Sequence, residues 1–243
     1  MLTVLESLNL STDYLQKHNI ESPRINAELL LASILNCKRL DLYLAFDKPL
    51  REEELEKYRN FIKRRGKFEP LQYITGSVEF YGMEIKVNPS VLIPRAETEI
   101  LIDVVIEQVK IKEEITIMDI GCGSGNIVIA LAANISNCKV FGTDISKDAL
   151  KISTENAEAN GVKNKTEFHL KDIFSDDFSD LPKVDIIVSN PPYVSEEKFV
   201  TLQNEIKYFE PNIAVTDFSD GYKFYKAISE KVKKLLKPGG KIF

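Results

Sequence analysis

Asn190-Pro191-Pro192-Tyr193 are the residues whose types and spacing point most directly to chemistry. Two prolines fix the backbone and remove two N–H donors, so carbonyl oxygens dominate a loop of one shape. A planar amide or aromatic amine nitrogen is a poor nucleophile because its lone pair is delocalised. The side-chain oxygen of Asn190 and the carbonyl of Pro191 can each accept one hydrogen of such an NH2 group. That aims the nitrogen at an electrophile, and Tyr193 can pack on the planar group. The acceptors stand where positive charge develops, and no strong base is required, because the N–H proton becomes acidic once the nitrogen has attacked. The competing reading is a proline-rich structural turn. The position of the loop weighs against it: the apolar run 184–190 delivers it to the carboxyl end of a strand, where open α/β sheets bind ligands.

A second constellation is Asp119-Ile120-Gly121-Cys122-Gly123-Ser124-Gly125, between the apolar strand 115–120 and an apolar helix. Glycines permit a tight turn and a close backbone approach, and the helix start presents unpaired N–H groups. A glycine loop alone is shared by nicotinamide, flavin and adenosylmethionine binders. Asp144 ends the next strand roughly 20 positions later, the spacing of a carboxylate that accepts ribose hydroxyls. Asp172 ends the run 165–172, where it could accept from an adenine amino group, with Ile173 packing on the ring. The glycines read GxGxG and not the GxGxxG of pyrophosphate binders. Asp119 would repel a pyrophosphate but suits the ammonium of a methionine moiety. The expected cofactor is S-adenosylmethionine and the expected chemistry is methyl transfer.

These groups need a scaffold. From Ala96 the pattern alternates helix and strand, which means a parallel sheet covered on both faces. The helices are expected from Ala96 to about residue 110, after the glycine loop, and from Ser146 to Gly161, with Ser146 as cap and Gly161 as the stop. The first third reads as a small helical bundle. Ser22-Pro23 is a helix start, with serine as cap, and Ile25, Leu29, Leu30, Ala32, Ser33 and Leu35 form its apolar face. Residues 51–65 place acids early and bases late, complementing the helix dipole, over a stripe of Leu55, Tyr58, Phe61 and Ile62. Residues 77–87 alternate around Gly82 as a β-hairpin. The expected organisation is a bundle over 1–69, a linker with a hairpin over 70–95, and a catalytic domain over 96–243. After a helix over about 220–236, Lys237-Pro238-Gly239-Gly240 is expected to turn and residues 241–243 to begin a strand.

The 243 residues are 44% hydrophobic and 28% charged, ordinary for one or two folded domains, with a formal net charge of -5. That balance disfavours a protein that tracks a nucleic-acid backbone. The one dense basic run, residues 63–67, reads as a solvated helix end. Cys37, Cys122 and Cys138 lack metal-ligand spacing, so no metal is expected, and their scarcity suits the reducing cytoplasm. No run approaches the roughly 18 apolar residues of a membrane span.

Taken together, these residues resemble the amino-methyltransferases with an NPPY signature. Residues 64–99, with Arg24 to Leu30 and the segment from Glu210 to Gly221, resemble the PrmC or HemK family of release-factor glutamine methyltransferases. The resemblance implies a Rossmann-like class I methyltransferase sheet behind a helical domain that docks a bacterial class I peptide-chain release factor. The implied reaction methylates the side-chain amide of the glutamine in that factor's Gly-Gly-Gln loop. It carries the cofactor role to residues 121–125 and Asp144 and the substrate role to residues 190–193. Arg95, Thr98 and Glu99 match the family's linker motif and are expected to wall the pocket near the substrate, or else to order the linker. Two departures stand out: Ala96 replaces a second proline and Phe218 a glycine. The resemblance also implies further closing strands; the chain is expected to end as the sixth strand begins, a truncated sheet. Two other readings compete. One is an adenine-N6 methyltransferase on DNA or RNA, which the charge and the helical domain disfavour. The other is a non-catalytic adenosylmethionine-binding protein.

Overall fold

The computed structural model describes residues 2–109 and 114–243, in two compact units, Met1–Gly76 and Ser77–Phe243.

The first unit consists of α1 (Val4–Lys17), α2 (Pro23–Leu35), a 3-10 turn over Arg39–Leu44, α3 (Glu52–Arg65) and α4 (Leu71–Thr75). Thr3 caps α1 in a reciprocal box with Glu6. Leu8, Leu15, Leu30, Leu31, Leu42, Leu50 and Tyr58 fill the core. Each such side chain contributes about 1.5–3 kcal/mol on burial. The start of α2 differs from expectation. Pro23 does open the helix, but Ser22 takes left-handed backbone and its side chain caps nothing. Asn26 instead donates to the carbonyls of Glu21 and Ser22. The buried face of α2 is Ala27, Leu30 and Leu31, whereas Ile25 and Leu29 lie exposed.

Glu28 is also buried on that face, receiving Arg24 Nε at 2.7 Å, Arg39 at 2.8 Å and the Tyr43 hydroxyl at 2.9 Å. Burial pushes its carboxyl up, but these donors outweigh it and hold the group below its ordinary value. In the basic run, Lys63 and Lys67 lie exposed as expected, whereas the partly exposed Arg64 grips Glu69 through two bonds and Arg65 is buried against Asn26.

The second unit opens with the hairpin β1 (Ser77–Phe80) and β2 (Met83–Lys86). Its turn residues, Tyr81 and Gly82, both have positive φ, the setting of a type I′ turn that matches strand twist. Then follow α5 (Glu97–Glu107), β3 (Ile115–Ile120), α6 (Asn126–Asn134), β4 (Cys138–Asp144), α7 (Lys147–Ala159), β5 (Thr166–Leu170) and β6 (Val184–Val188). The expected end of α5 at residue 110 lies outside the described residues. Ser146 caps α7, and Gly161 follows its end with φ of 70°. Three short helices not expected from the sequence, α8 (Glu196–Phe199), α9 (Asn204–Phe209) and α10 (Asn212–Val215), precede α11 (Lys223–Leu235) and β7 (Leu236–Ile242).

The sheet is parallel with order β5-β4-β3-β6-β7. The terminal strand is therefore the fifth of this sheet, not the sixth. It pairs from Leu236 onward, and the expected turn is a bulge between Leu236 and Lys241 within it. Met118, Phe141, Val184 and Ile187 pack against Ile228 and Leu235 of α11, while α6 supplies buried Ile127, Val128 and Ile129. Parallel strands covered by helices require such near-continuous apolar runs.

Candidate active site

The chain leaves β3 outward to β4 and β5, then returns to place β6 on β3's other side. Strand order thus reverses between β3 and β6, where an open α/β sheet leaves a crevice at its carboxyl edge. A cleft of about 280 Å³ lies there, lined by Gly121, Gly123, Asp144, Asp172, Ile173 and Asn190 to Pro192, among others.

The glycine loop is strapped to β4, as Gly121 and Cys122 both donate to the carbonyl of Thr143. Its three glycines take positive φ. At Gly125 there is a second reason: a Cβ there would lie 2.8 Å from that of Ser153 on α7. Of residues 121–125, Gly121 and Gly123 line the cleft, next to Ile120. Cys122 and Ser124 are buried away from it, and burial pushes the Cys122 thiol well up. Asp144 accepts from Gly123 N and Ser146 N, each at 2.9 Å, so the carboxylate pins loop and helix while facing the cleft. Burial raises its pKa against those bonds. Asp172 sits two residues beyond the end of β5, not on the strand, in a turn where it accepts from Phe174 N and Ser175 Oγ.

Asp119 is fully buried, and among the described residues neither carboxylate oxygen has a hydrogen-bond partner. Burial, with some repulsion from Asp144, pushes its pKa up to about 8. A buried charge without a partner is costly; Asp119 itself does not line the cleft, although its neighbours Ile120 and Gly121 do.

Asn190 leaves β6 with its neighbour Ser189 bonded to the carbonyl of Ile120 at 2.6 Å. Its Nδ2 donates to Oγ1 of buried Thr98 at 3.3 Å. Pro191 is buried, Pro192 partly so, and Tyr193 is 60% exposed outside the cleft lining. The three linker residues divide. Thr98 reaches Asn190. Arg95 pairs with buried Glu210, which also accepts from Ile93 N. Glu99 accepts from Tyr81 N at 2.7 Å and so holds the hairpin turn. None of the three lines the cleft itself.

Sequence reasoning missed four positions. Asn156, fully buried on α7, bonds both backbone groups of Lys86 and the carbonyl of Ser124, tying hairpin to glycine loop. Glu210 anchors the linker. Asp217, buried, binds Ser219 N and Lys223 N and shapes the start of α11. Gly221 packs on the carbonyl of Tyr193, where a Cβ would lie at 2.7 Å. Only Glu210 and Gly221 left a trace, as ends of a segment of family resemblance. Among the described residues no acid, histidine and cysteine group could hold a metal, and no helix is long and apolar enough to cross a membrane.

Family profiles agree with this geometry. One described as "PrmC N-terminal domain" matches residues 6–76, and one described as "Methyltransferase domain" matches residues 111–243. The release factor glutamine methyltransferase of Chlorobaculum tepidum is 37% identical over 98% of this chain and 83% of its own. This chain belongs to that family. The release factor glutamine methyltransferase of Geobacter sulfurreducens is 38% identical over 98% of this chain and 82% of its own. The Fusobacterium nucleatum relative of the same name is 39% identical over 97% of this chain, which spans 66% of its length. Among solved structures, the hMettl16 catalytic domain in complex with an RNA hairpin shares the fold, with a TM-score of 0.51 at 17% identity over 76% of this chain and 63% of its own. Membership in a methyltransferase family with this sheet makes S-adenosylmethionine the methyl donor.

Proposed function

We propose that this chain methylates the side-chain amide nitrogen of a glutamine in the Gly-Gly-Gln loop of a bacterial class I release factor, a reaction of the cytoplasm. The observation that carries the reading is the amide of Asn190 at the cleft, oriented by Thr98. With Nδ2 engaged, Oδ1 is left to accept a hydrogen from the substrate amide, and the carbonyl of Pro191 can take the other. An amide held this way is oriented toward one point and biased toward pyramidal nitrogen, which is catalysis by positioning. Two acceptors also stabilise the charge that gathers on nitrogen.

In this reading the cofactor residues divide the ligand among them. Asp144 would accept the ribose hydroxyls, Asp172 the adenine amino group, and Ile173 would cover the ring. Asp119, with no hydrogen-bond partner among the described residues, would receive the ammonium. Bound S-adenosylmethionine supplies an electrophilic methyl group. The helical unit would dock the release factor.

An adenine amino group is planar like the amide, but the matched helical domain of this family favours a protein substrate. The deciding experiment gives the enzyme labelled S-adenosylmethionine with a release factor, with that factor's Gln→Ala loop variant, or with DNA. Label should appear on the unaltered factor alone. Label on the variant, or on DNA, overturns the reading.

A further inference from the structure

Among the described residues, three aromatics sit in left-handed backbone, a setting that side chains with a Cβ resist: Phe68, Tyr81 and Phe218. Two are repaid within the fold. Phe68 packs against the core of the helical unit, and the Tyr81 hydroxyl bonds Asp103 at 2.7 Å. Phe218 is 57% exposed and lies on the cleft wall, with φ of 52°. Strain kept at a cleft without internal return points to a ligand.

The chain holds that strain deliberately, from both sides. Thr216 and Asp217, each almost wholly buried, bracket the position. Thr216 forms a parallel bridge to Val194 and its Oγ1 receives Phe218 N at 3.1 Å, while Asp217 N donates to Val194 O. Downstream, the carbonyl of Ser219 receives Glu196 N, and Gly221 rests on Tyr193. The turn bearing Phe218 is therefore fastened to residues 193–196, directly after the Asn-Pro-Pro-Tyr loop, and not to the glycine loop. Its ring belongs to the nucleophile's side of the cleft.

We infer that Phe218 is a specificity-determining wall for the protein substrate, its ring packing on the backbone that flanks the target glutamine. The inference rests on the substrate proposed above. An aromatic face is a rigid, low-entropy contact, and a peptide segment with little side chain of its own presents planar amides and Cα–H groups to it.

The test compares the unaltered chain with Phe218→Gly and Phe218→Tyr. Calorimetric titration with a release factor is run in the presence of S-adenosylhomocysteine. Phe218→Gly should bind the factor about tenfold more weakly, bind S-adenosylhomocysteine unchanged, and melt no lower, because glycine adopts this backbone freely. Phe218→Tyr should retain the affinity. Equal binding of the factor by the unaltered chain and Phe218→Gly overturns the role of Phe218 alone. No binding of the factor by the unaltered chain overturns the substrate reading, and this inference with it.

Discussion

The side-chain amide of Asn190 donates to the hydroxyl of Thr98 across 3.3 Å, joining the strand-end loop to the first turn of α5. That bond decides which end of the amide faces the cleft. Without it, Asn190 could present NH2 to a substrate NH2, two donors facing each other. Thr98→Val keeps the shape and removes the acceptor. Steady-state kinetics should show kcat reduced about tenfold, the loss of roughly one hydrogen bond, with S-adenosylmethionine binding unchanged. Thr98→Ser should recover most of the rate. An unaltered kcat in Thr98→Val would remove Thr98 from the machinery.

Asp119 makes stability depend on pH. Its carboxyl titrates near 8 in the fold against 3.8 when free, so folding takes up a proton between those values. Stability of the ligand-free protein should fall as pH rises from about 4 to about 8, then level off. Asp119→Asn removes this slope and should melt higher than the unaltered protein at pH 9, while Asp144 remains in both. The same variant should bind S-adenosylmethionine more weakly. Binding to the unaltered protein at pH 7 should release a proton, read as a buffer-dependent calorimetric enthalpy. A pH-independent difference in melting temperature between the two proteins would refute the shift.

Asn156 is a buried amide that joins the hairpin to the glycine loop. Asn156→Ala strands the backbone groups of Lys86 and the carbonyl of Ser124. Leaving buried polar groups unmet costs about 1–3 kcal/mol each. Denaturant unfolding should show a loss on the order of a few kcal/mol, accompanied by weaker cofactor binding. Asn156→Asp should be worse, since a carboxylate would face two carbonyls. Unchanged cofactor affinity in a folded Asn156→Ala would separate this amide from the site.

Gly221 has φ of 86° and no room for a Cβ above the carbonyl of Tyr193. Gly221→Ala should cost roughly 1–3 kcal/mol of stability and lower kcat, because displacing Tyr193 disturbs the loop that holds the substrate. A melting temperature and rate equal to the unaltered protein's would show that the turn and the loop move independently.

The alternation of apolar runs with helices, the GxGxG turn and the Asn-Pro-Pro-Tyr loop were legible residue by residue. Each rests on short-range physics: strand and helix periodicity, glycine's access to positive φ, proline's fixed φ and missing donor. Apolar periodicity misjudged α2, because the buried carboxylate of Glu28 is satisfied by Arg24, Arg39 and Tyr43, the last two well separated from it in the chain. The sequence by itself thus determined the sheet, the cofactor loop and the kind of nitrogen that Asn190 can hold. Tertiary structure alone decided which oxygen Asn190 presents, through Thr98, 92 positions away. It also left Asp119 without a partner among the described residues and put Phe218 on the cleft wall. Such pairings depend on where distant segments meet, and no local preference of the chain encodes them.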